Sequence, residues 1–133
     1  MSWHLQNIWI FAFLLLVSCK DKQAPTQPSS TSTVIGITQA KTLLDSKKVI
    51  ALDVRTPGEI EKGKIEGALE IDFRGDAFET KLAQLDKSKS YLVYCKSGGR
   101  SANTIKLLDK LGFTNSYDME GGYTAWSKTY GKN

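Results

Sequence analysis

The chain has 133 residues, with 18 Lys or Arg against 14 Asp or Glu and only two cysteines. That length holds one domain and little else. The net charge of +4 is interspersed along the sequence with no block of one sign, so nothing selects a nucleic-acid partner.

The chain opens on an uncharged apolar run, "IWIFAFLLLV", from Ile8 to Val17. It is too short to span a bilayer as a helix, which takes ~20 residues, and it fits the apolar core of a secretory signal. "LVSC", Leu16 to Cys19, resembles the lipobox of bacterial lipoproteins. The resemblance implies a signal peptide over residues 1–18 and a lipid on Cys19, the new N-terminus. The leader "MSWHLQN" departs from that pattern in having no Lys or Arg. An uncleaved anchor, or an ordinary signal peptide cut elsewhere, is the alternative. By the same resemblance, Lys20 rather than Asp after Cys19 points to an outer membrane, with the protein exported and facing the periplasm or the cell exterior. Residues 19–33 then make a lipidated cysteine and a tether. The tether, "KDKQAPTQPSSTST", has almost nothing to bury and is expected to be disordered.

The folded domain is expected over residues 34–133, with strand and helix signals in alternation. "VIGI" (Val34 to Ile37) predicts a short strand, and Thr38 caps a helix with Ala40, Leu43 and Leu44 on one face. "VIALDV" (Val49 to Val54) has the continuous apolar character of a buried parallel strand. "ALEI" (Ala68 to Ile71) is a further strand, and "AFETKLAQL" (Ala77 to Leu85) a helix. "YLVYC" is a strand ending at Cys95, followed by an amphipathic helix with Ala102, Ile105, Leu108 and Leu111 inward. "NSYDM" and "GYTAWSKTY" supply a last strand and a last helix. The order predicts an α/β fold: a small, mainly parallel five-stranded sheet flanked by helices on both faces.

In open α/β sheets the site lies beyond the carboxyl ends of the strands. One strand here ends at Asp53 and runs into Arg55, and another ends at Cys95. If Cys19 carries lipid, Cys95 has no partner, which leaves an inert buried thiol or a reactive one. The residues after it favour reactivity. Gly98 and Gly99 let successive N–H groups point at one centre, and the next helix adds its positive end. Arg100 brings a permanent charge, and together these stabilise a thiolate. Lys96 is either an attractor of anions or merely solvated, and Ser97 is a possible hydrogen-bond donor. Ser101 reads as a cap or plain helix surface. Asp53, Arg55 and Glu59 read as supporting residues: Arg55 pairs with Glu59, and Asp53 accepts N–H bonds. Gly121, Gly122 and Trp126 read as turn and packing residues. The one histidine, His4, lies in the leader, and no cluster has metal-ligand spacing.

Four segments in order resemble the single-domain rhodanese family over Val34 to Gly131. "CKSGGRS" is similar to its C-x-x-G-x-R loop, and "DVRTPGEI" (Asp53 to Ile60) to D-V-R-x-x-x-E. "GKIEGAL" (Gly63 to Leu69) resembles G-H-I-x-G-A, with Lys64 in place of His, and "GGYTAW" (Gly121 to Trp126) resembles G-G-x-x-A-W. The resemblance implies a sulfurtransferase without a cofactor. Cys95 would take a sulfane sulfur from a small donor such as thiosulfate and pass it to cyanide or a thiol. The main chain from Lys96 to Arg100 would cradle the outer sulfur, and Arg100 would orient the donor. A monomer is expected. Two alternatives stand beside this reading: a persulfide carrier or redox-sensing module without turnover, and a cysteine phosphatase. The phosphatase is disfavoured because only Lys96 to Gly99 separate Cys95 from Arg100, one residue fewer than phosphatase loops hold.

Overall fold

The structure, a computed structural model, describes residues 31–132. The expected signal peptide over residues 1–18, the expected lipidation site Cys19 and residues 20–30 of the expected tether lie outside the described residues. Five strands run β1 (Thr31–Ile35), β2 (Ile50–Asp53), β3 (Leu69–Glu70), β4 (Tyr91–Tyr94) and β5 (Asn115–Met119). They lie side by side in the order β1-β5-β4-β2-β3, and every pairing is parallel. Between and after them come α1 (Ile37–Asp45), α2 (Pro57–Ile60), α3 (Phe78–Ala83), α4 (Gly99–Lys110) and α5 (Gly122–Tyr130). Among the described residues no helix is long and apolar enough to cross a membrane.

Side-chain alternation along the central strands splits the interior into two cores. Leu92 and Tyr94 of β4 join Ala51, Met119, Ala40, Tyr123 and Trp126 on the face covered by α1 and α5. Tyr91, Val93 and Cys95 join Leu52, Val54, Phe78, Leu82, Ile105 and Leu108 on the face covered by α3 and α4. Because β4 is buried on both faces, each large side chain there contributes roughly 1.5–3 kcal/mol.

Several local expectations are corrected. β1 begins at Thr31 rather than Val34, because the residues read as the end of the tether pair with β5, Thr31 opposite Asn115. Its polar sequence suits a sheet edge, where main-chain bonding rather than burial holds the strand. α1 starts at Ile37, not after a Thr38 cap: the carbonyl of the extended Gly36 accepts the Ala40 N–H at 2.9 Å. The inward face of α4 carries Ser101, Thr104, Ile105 and Leu108, while Ala102 and Leu111 are only half-buried. The short α2, unforeseen in the sequence, begins at Pro57, where the proline ring pre-sets the backbone and the missing N–H costs nothing.

Candidate active site

The register of the sheet brings the two polar strand ends together. Asp53 of β2 lies opposite Tyr94 of β4, and the Val54 N–H donates to the Tyr94 carbonyl at 3.0 Å. Cys95 is the next residue after Tyr94, so the motif that begins at Asp53 and the loop that begins at Cys95 leave the same edge.

Cys95 is 1% exposed. The chain turns at Gly98, whose φ of +119° lies where side chains are rarely tolerated, and α4 begins one residue later. That turn aims the Gly98 N–H at Cys95 Sγ, 3.0 Å away. Burial acts to raise the thiol pKa, but the main-chain N–H groups of Ser101, Gly98 and Ser97, with the Ser101 hydroxyl, outweigh it and hold the thiol below its ordinary value. Ser97 and Lys96 are themselves exposed.

A second segment fixes the loop from behind. The Tyr123 N–H donates to the Cys95 carbonyl at 2.7 Å, and the Thr124 N–H to the Lys96 carbonyl at 3.0 Å. This approach requires Gly122: its φ is +58°, and a Cβ there would lie 2.5 Å from the Cys95 oxygen. The first turn of α5 therefore clamps the carbonyls of the loop and leaves its N–H groups free to face the sulfur.

The charged residues pair differently from the expectation. Arg55 bonds Asp53, not the Glu59 side chain: Arg55 Nη2 is 2.6 Å from Asp53 Oδ2, and Nε is 2.9 Å from Oδ1. Only the Glu59 carbonyl, 3.4 Å from Arg55 Nη1, touches Arg55. The reason is local, since an extended chain carries Asp53 and Arg55 to the same side while α2 turns Glu59 away. Arg55 also donates to the Gly63 carbonyl at 2.9 Å, and its guanidinium lies 4.0 Å from the Tyr123 ring centre. Burial works against its charge, and Asp53 more than restores it. Asp53 does accept an N–H bond, from Arg55 at 3.0 Å.

Glu59 instead holds Arg100 by two bonds, Nη1 to Oε2 at 2.7 Å and Nη2 to Oε1 at 2.8 Å. The Thr56 N–H and hydroxyl each donate to Glu59 Oε2 at 3.0 Å. The Arg100 pair, above all, holds the Glu59 carboxyl far below the usual carboxylate range despite partial burial. Glu59 first, and Cys95 less, hold the Arg100 guanidinium more firmly charged, against the effect of partial burial. A cleft of about 240 Å³ opens alongside, lined by Arg55, Glu59, Lys62, Lys96, Tyr123 and Lys132 among others. A larger hollow of about 670 Å³ between α3 and α4 has no cysteine or histidine in its lining.

Two buried polar residues, Ser101 beside Cys95 and Asp118 on the same sheet face, escaped the sequence reading. Ser101, read as a cap or surface residue, is fully buried, with Oγ 3.7 Å from Cys95 Sγ and donating to the Gly98 carbonyl at 3.0 Å. Asp118 lies on the same sheet face as Cys95, beside Val93. The signal for it was a polar residue where a buried parallel strand should be apolar. Lys64 pairs with Glu70.

Most of the sequence finds matching relatives. A sulfurtransferase of Allochromatium vinosum is 30% identical over 86 residues, covering 65% of this chain and 78% of that protein. The putative sulfurtransferase YtwF of Bacillus subtilis is 41% identical over 80 residues, covering 60% and 75%. A solved rhodanese-related protein from Thermoplasma volcanium superimposes with a TM-score of 0.67 at 30% identity, over 74% of this chain and 93% of that one. The Rhodanese-like domain model matches residues 37–129, from the first turn of α1 to the last turn of α5 and through every strand but the edge strand β1, and the chain belongs to that family.

Proposed function

We propose that the protein is a rhodanese-type sulfurtransferase that works through a persulfide on Cys95. The observation that carries this reading is the buried Cys95 Sγ at the end of β4, 3.0 Å from the Gly98 N–H and ringed by main-chain donors. In the first step the thiolate attacks the outer sulfur of a donor such as thiosulfate. The new S–S bond forms as the donor's own S–S bond breaks, and sulfite leaves with the electron pair. In the second, cyanide or a thiolate takes the outer sulfur, and the Cys95 thiolate is the leaving group. This is covalent catalysis with an activated nucleophile, and it gives ping-pong kinetics. Lys96, Ser97, Gly98, Gly99 and Arg100 form the substrate loop, the N–H groups holding the outer sulfur and Arg100 orienting the anion. Asp53, Arg55 and Glu59 support that loop.

Mass spectrometry of the purified protein after thiosulfate tests the reading. Wild type gains one sulfur atom on Cys95 and loses it to cyanide, and Cys95→Ser gains none. A wild type without the adduct overturns it. Rapid steady-state turnover with thiosulfate and cyanide separates an enzyme from a carrier, which forms the adduct without turning over.

We also propose that lipid on Cys19 anchors the chain to a membrane, with the domain exported, and that the outer membrane is its site. The support is "LVSC" with the polar tether after it, and several acyl chains together hold firmly. Expressed in a bacterium, wild type is expected in the membrane fraction bearing labelled fatty acid, and Cys19→Ala in neither. A soluble, unlabelled wild type overturns the anchor.

A further inference from the structure

Charge sets the cleft beside the Cys95 loop apart from two larger hollows of the surface. The hollow of about 670 Å³ between α3 and α4 is balanced, with Asp76 and Glu79 in its lining against Lys106 and Lys110. A second, of about 540 Å³, is balanced too, with Asp45 and Glu66 against Lys41 and Lys47. The cleft of about 240 Å³ is one-sided: Arg55, Lys62, Lys96 and Lys132 line it, and Glu59 is the one acid among its lining residues. Arg55 is already paired with Asp53 at 2.6 Å, and Glu59 with Arg100 at 2.7 Å. Lys62, Lys96 and Lys132 are exposed and have no ion-pair partner among the described residues. Three ammonium groups therefore line one small cleft whose only acid is spent elsewhere.

The cleft adjoins the reacting centre. Tyr123 and Thr124 line it, and their N–H groups hold the carbonyls of Cys95 and Lys96 at 2.7 and 3.0 Å. Lys96 is the residue after the thiol, and consecutive Cα atoms lie only about 3.8 Å apart. Fixed charge in such a recess attracts anions and raises their local concentration. The small reactants of the sulfur transfer leave this space unused. Thiosulfate carries its charge on the group bonded to the reacting sulfur, so the loop and Arg100 meet it directly. Cyanide is smaller still. A thiol with an anionic group set apart from its sulfur uses both the loop and the cleft.

We propose that Lys62 and Lys132 are specificity-determining residues that select, as sulfur acceptor, a small thiol bearing a carboxylate away from its sulfur. The chemistry rests on the sulfur-transfer reading above, and the selectivity rests on the cleft. The two ammonium groups hold the carboxylate while the acceptor thiolate attacks the outer sulfur of the Cys95 persulfide. The new S–S bond forms as the bond to Cys95 Sγ breaks, and Cys95 leaves with the electron pair. The proton on the outer sulfur stays there. One negative charge enters on the acceptor and one remains on Cys95, so the step balances. The same ammonium groups repel a thiol that carries an amine. Lys96 adds to the field but belongs to the substrate loop. Lys62 follows α2 and Lys132 follows α5, so both can be changed without altering that loop.

The test loads the full chain with thiosulfate, removes the excess and follows discharge of the Cys95 persulfide by mass spectrometry. The acceptors are mercaptosuccinate, which carries carboxylates, neutral 2-mercaptoethanol and cationic cysteamine. Intrinsic reactivity cancels when rate ratios are compared between two proteins. In Lys62→Gln combined with Lys132→Gln, the ratio of mercaptosuccinate to 2-mercaptoethanol should fall about tenfold at low salt. The ratio of cysteamine to 2-mercaptoethanol should rise. In 1 M salt, where the Debye length is about 3 Å, the two proteins should converge. Equal ratios in both proteins overturn the proposal, as does a difference that persists in 1 M salt. An equal fall with all three thiols also overturns it, since that marks a damaged site. A second measurement needs no sulfur transfer. Cys95 of the unloaded chain is alkylated with anionic iodoacetate or with neutral iodoacetamide, and the product is read at the Cys95 peptide. The thiol pKa cancels in the ratio of the two rates, which should be about threefold lower in the double variant. An unchanged ratio overturns the cleft's preference for anions. A chain that takes no sulfur from thiosulfate overturns the sulfurtransferase reading instead, and the alkylation ratio still decides which charge the cleft admits.

Discussion

The eight residues "DVRTPGEI" supply the whole of one ion pair and the acid of a second, and the two pairs differ in burial and in what they hold. Asp53 and Arg55 are almost wholly inside, their side chains 0% and 3% exposed, and bind a strand end to the Gly63 carbonyl and the Tyr123 ring. Glu59 and Arg100 sit at the rim, 27% and 18% exposed, and bind α2 to the loop that carries Cys95. The contrast teaches that one motif can serve stability with its first half and the site with its second. Water decides which, because a pair cut off from it cannot lose a partner cheaply, whereas a pair beside it can be re-solvated.

Breaking the inner pair should have the largest effect. Arg55→Met leaves Asp53 buried and uncompensated, at a cost of about 3–5 kcal/mol. Urea unfolding should show that loss, and Asp53→Asn combined with Arg55→Met should recover part of it. Equal stability of the single and double variants would mean that the pair does not act as a unit. Breaking the outer pair should instead affect rate. Arg100→Lys keeps the charge but cannot reproduce two parallel bonds to Glu59. Thiosulfate turnover should fall about 100-fold, as for a group displaced by about 1 Å. Stability should change by less than about 1 kcal/mol.

The outer pair also has an acid signature. The folded Glu59 pKa is depressed by Arg100, then by Thr56, against the opposing effect of burial. A depressed carboxyl contributes stability that is present above its unfolded pKa of about 4.3 and is lost as pH falls through its folded value. Glu59→Gln cannot lose that contribution. The stability gap between wild type and Glu59→Gln should therefore be constant from pH 8 to about pH 5 and close progressively below about pH 4. A gap that stays constant down to pH 2 would show that the carboxylate draws nothing from Arg100.

The sheet was legible in the sequence because its information is local. Apolar runs at Ile50–Asp53 and Tyr91–Tyr94 can only be buried strands when helices separate them. The thiol and its loop were legible for the same reason, since strand, turn glycine and helix start follow one another within a few residues. Pairing was not. Whether Glu59 meets Arg55 or Arg100 depends on a turn at α2 and on a partner 41 residues away. Ser101 was missed because the sequence does not say which side of the first turn of α4 meets the thiol, and Asp118 because its place on the same sheet face depends on the register of β4 with β5. Gly121 and Gly122 were read as turn residues, but the reason Gly122 must be glycine, the carbonyl of Cys95, lies in another segment.

The smallest effect is expected from a third pair, which extends the comparison outward. Lys64 and Glu70 are each 41% exposed. Water solvates both groups in the unfolded and folded chain alike, so the pair has little desolvation to recover and two long side chains to immobilise. Lys64→Ala should change stability by no more than about 0.5 kcal/mol, and the difference should vanish in 1 M salt, where the Debye length is about 3 Å. Thiosulfate turnover should stay within about twofold of wild type, because Lys64 touches neither the loop nor the cleft beside it. A stability loss approaching that of Arg55→Met would mean that exposure does not order the three pairs. A loss of turnover with stability intact would place Lys64 on the path of the incoming anion.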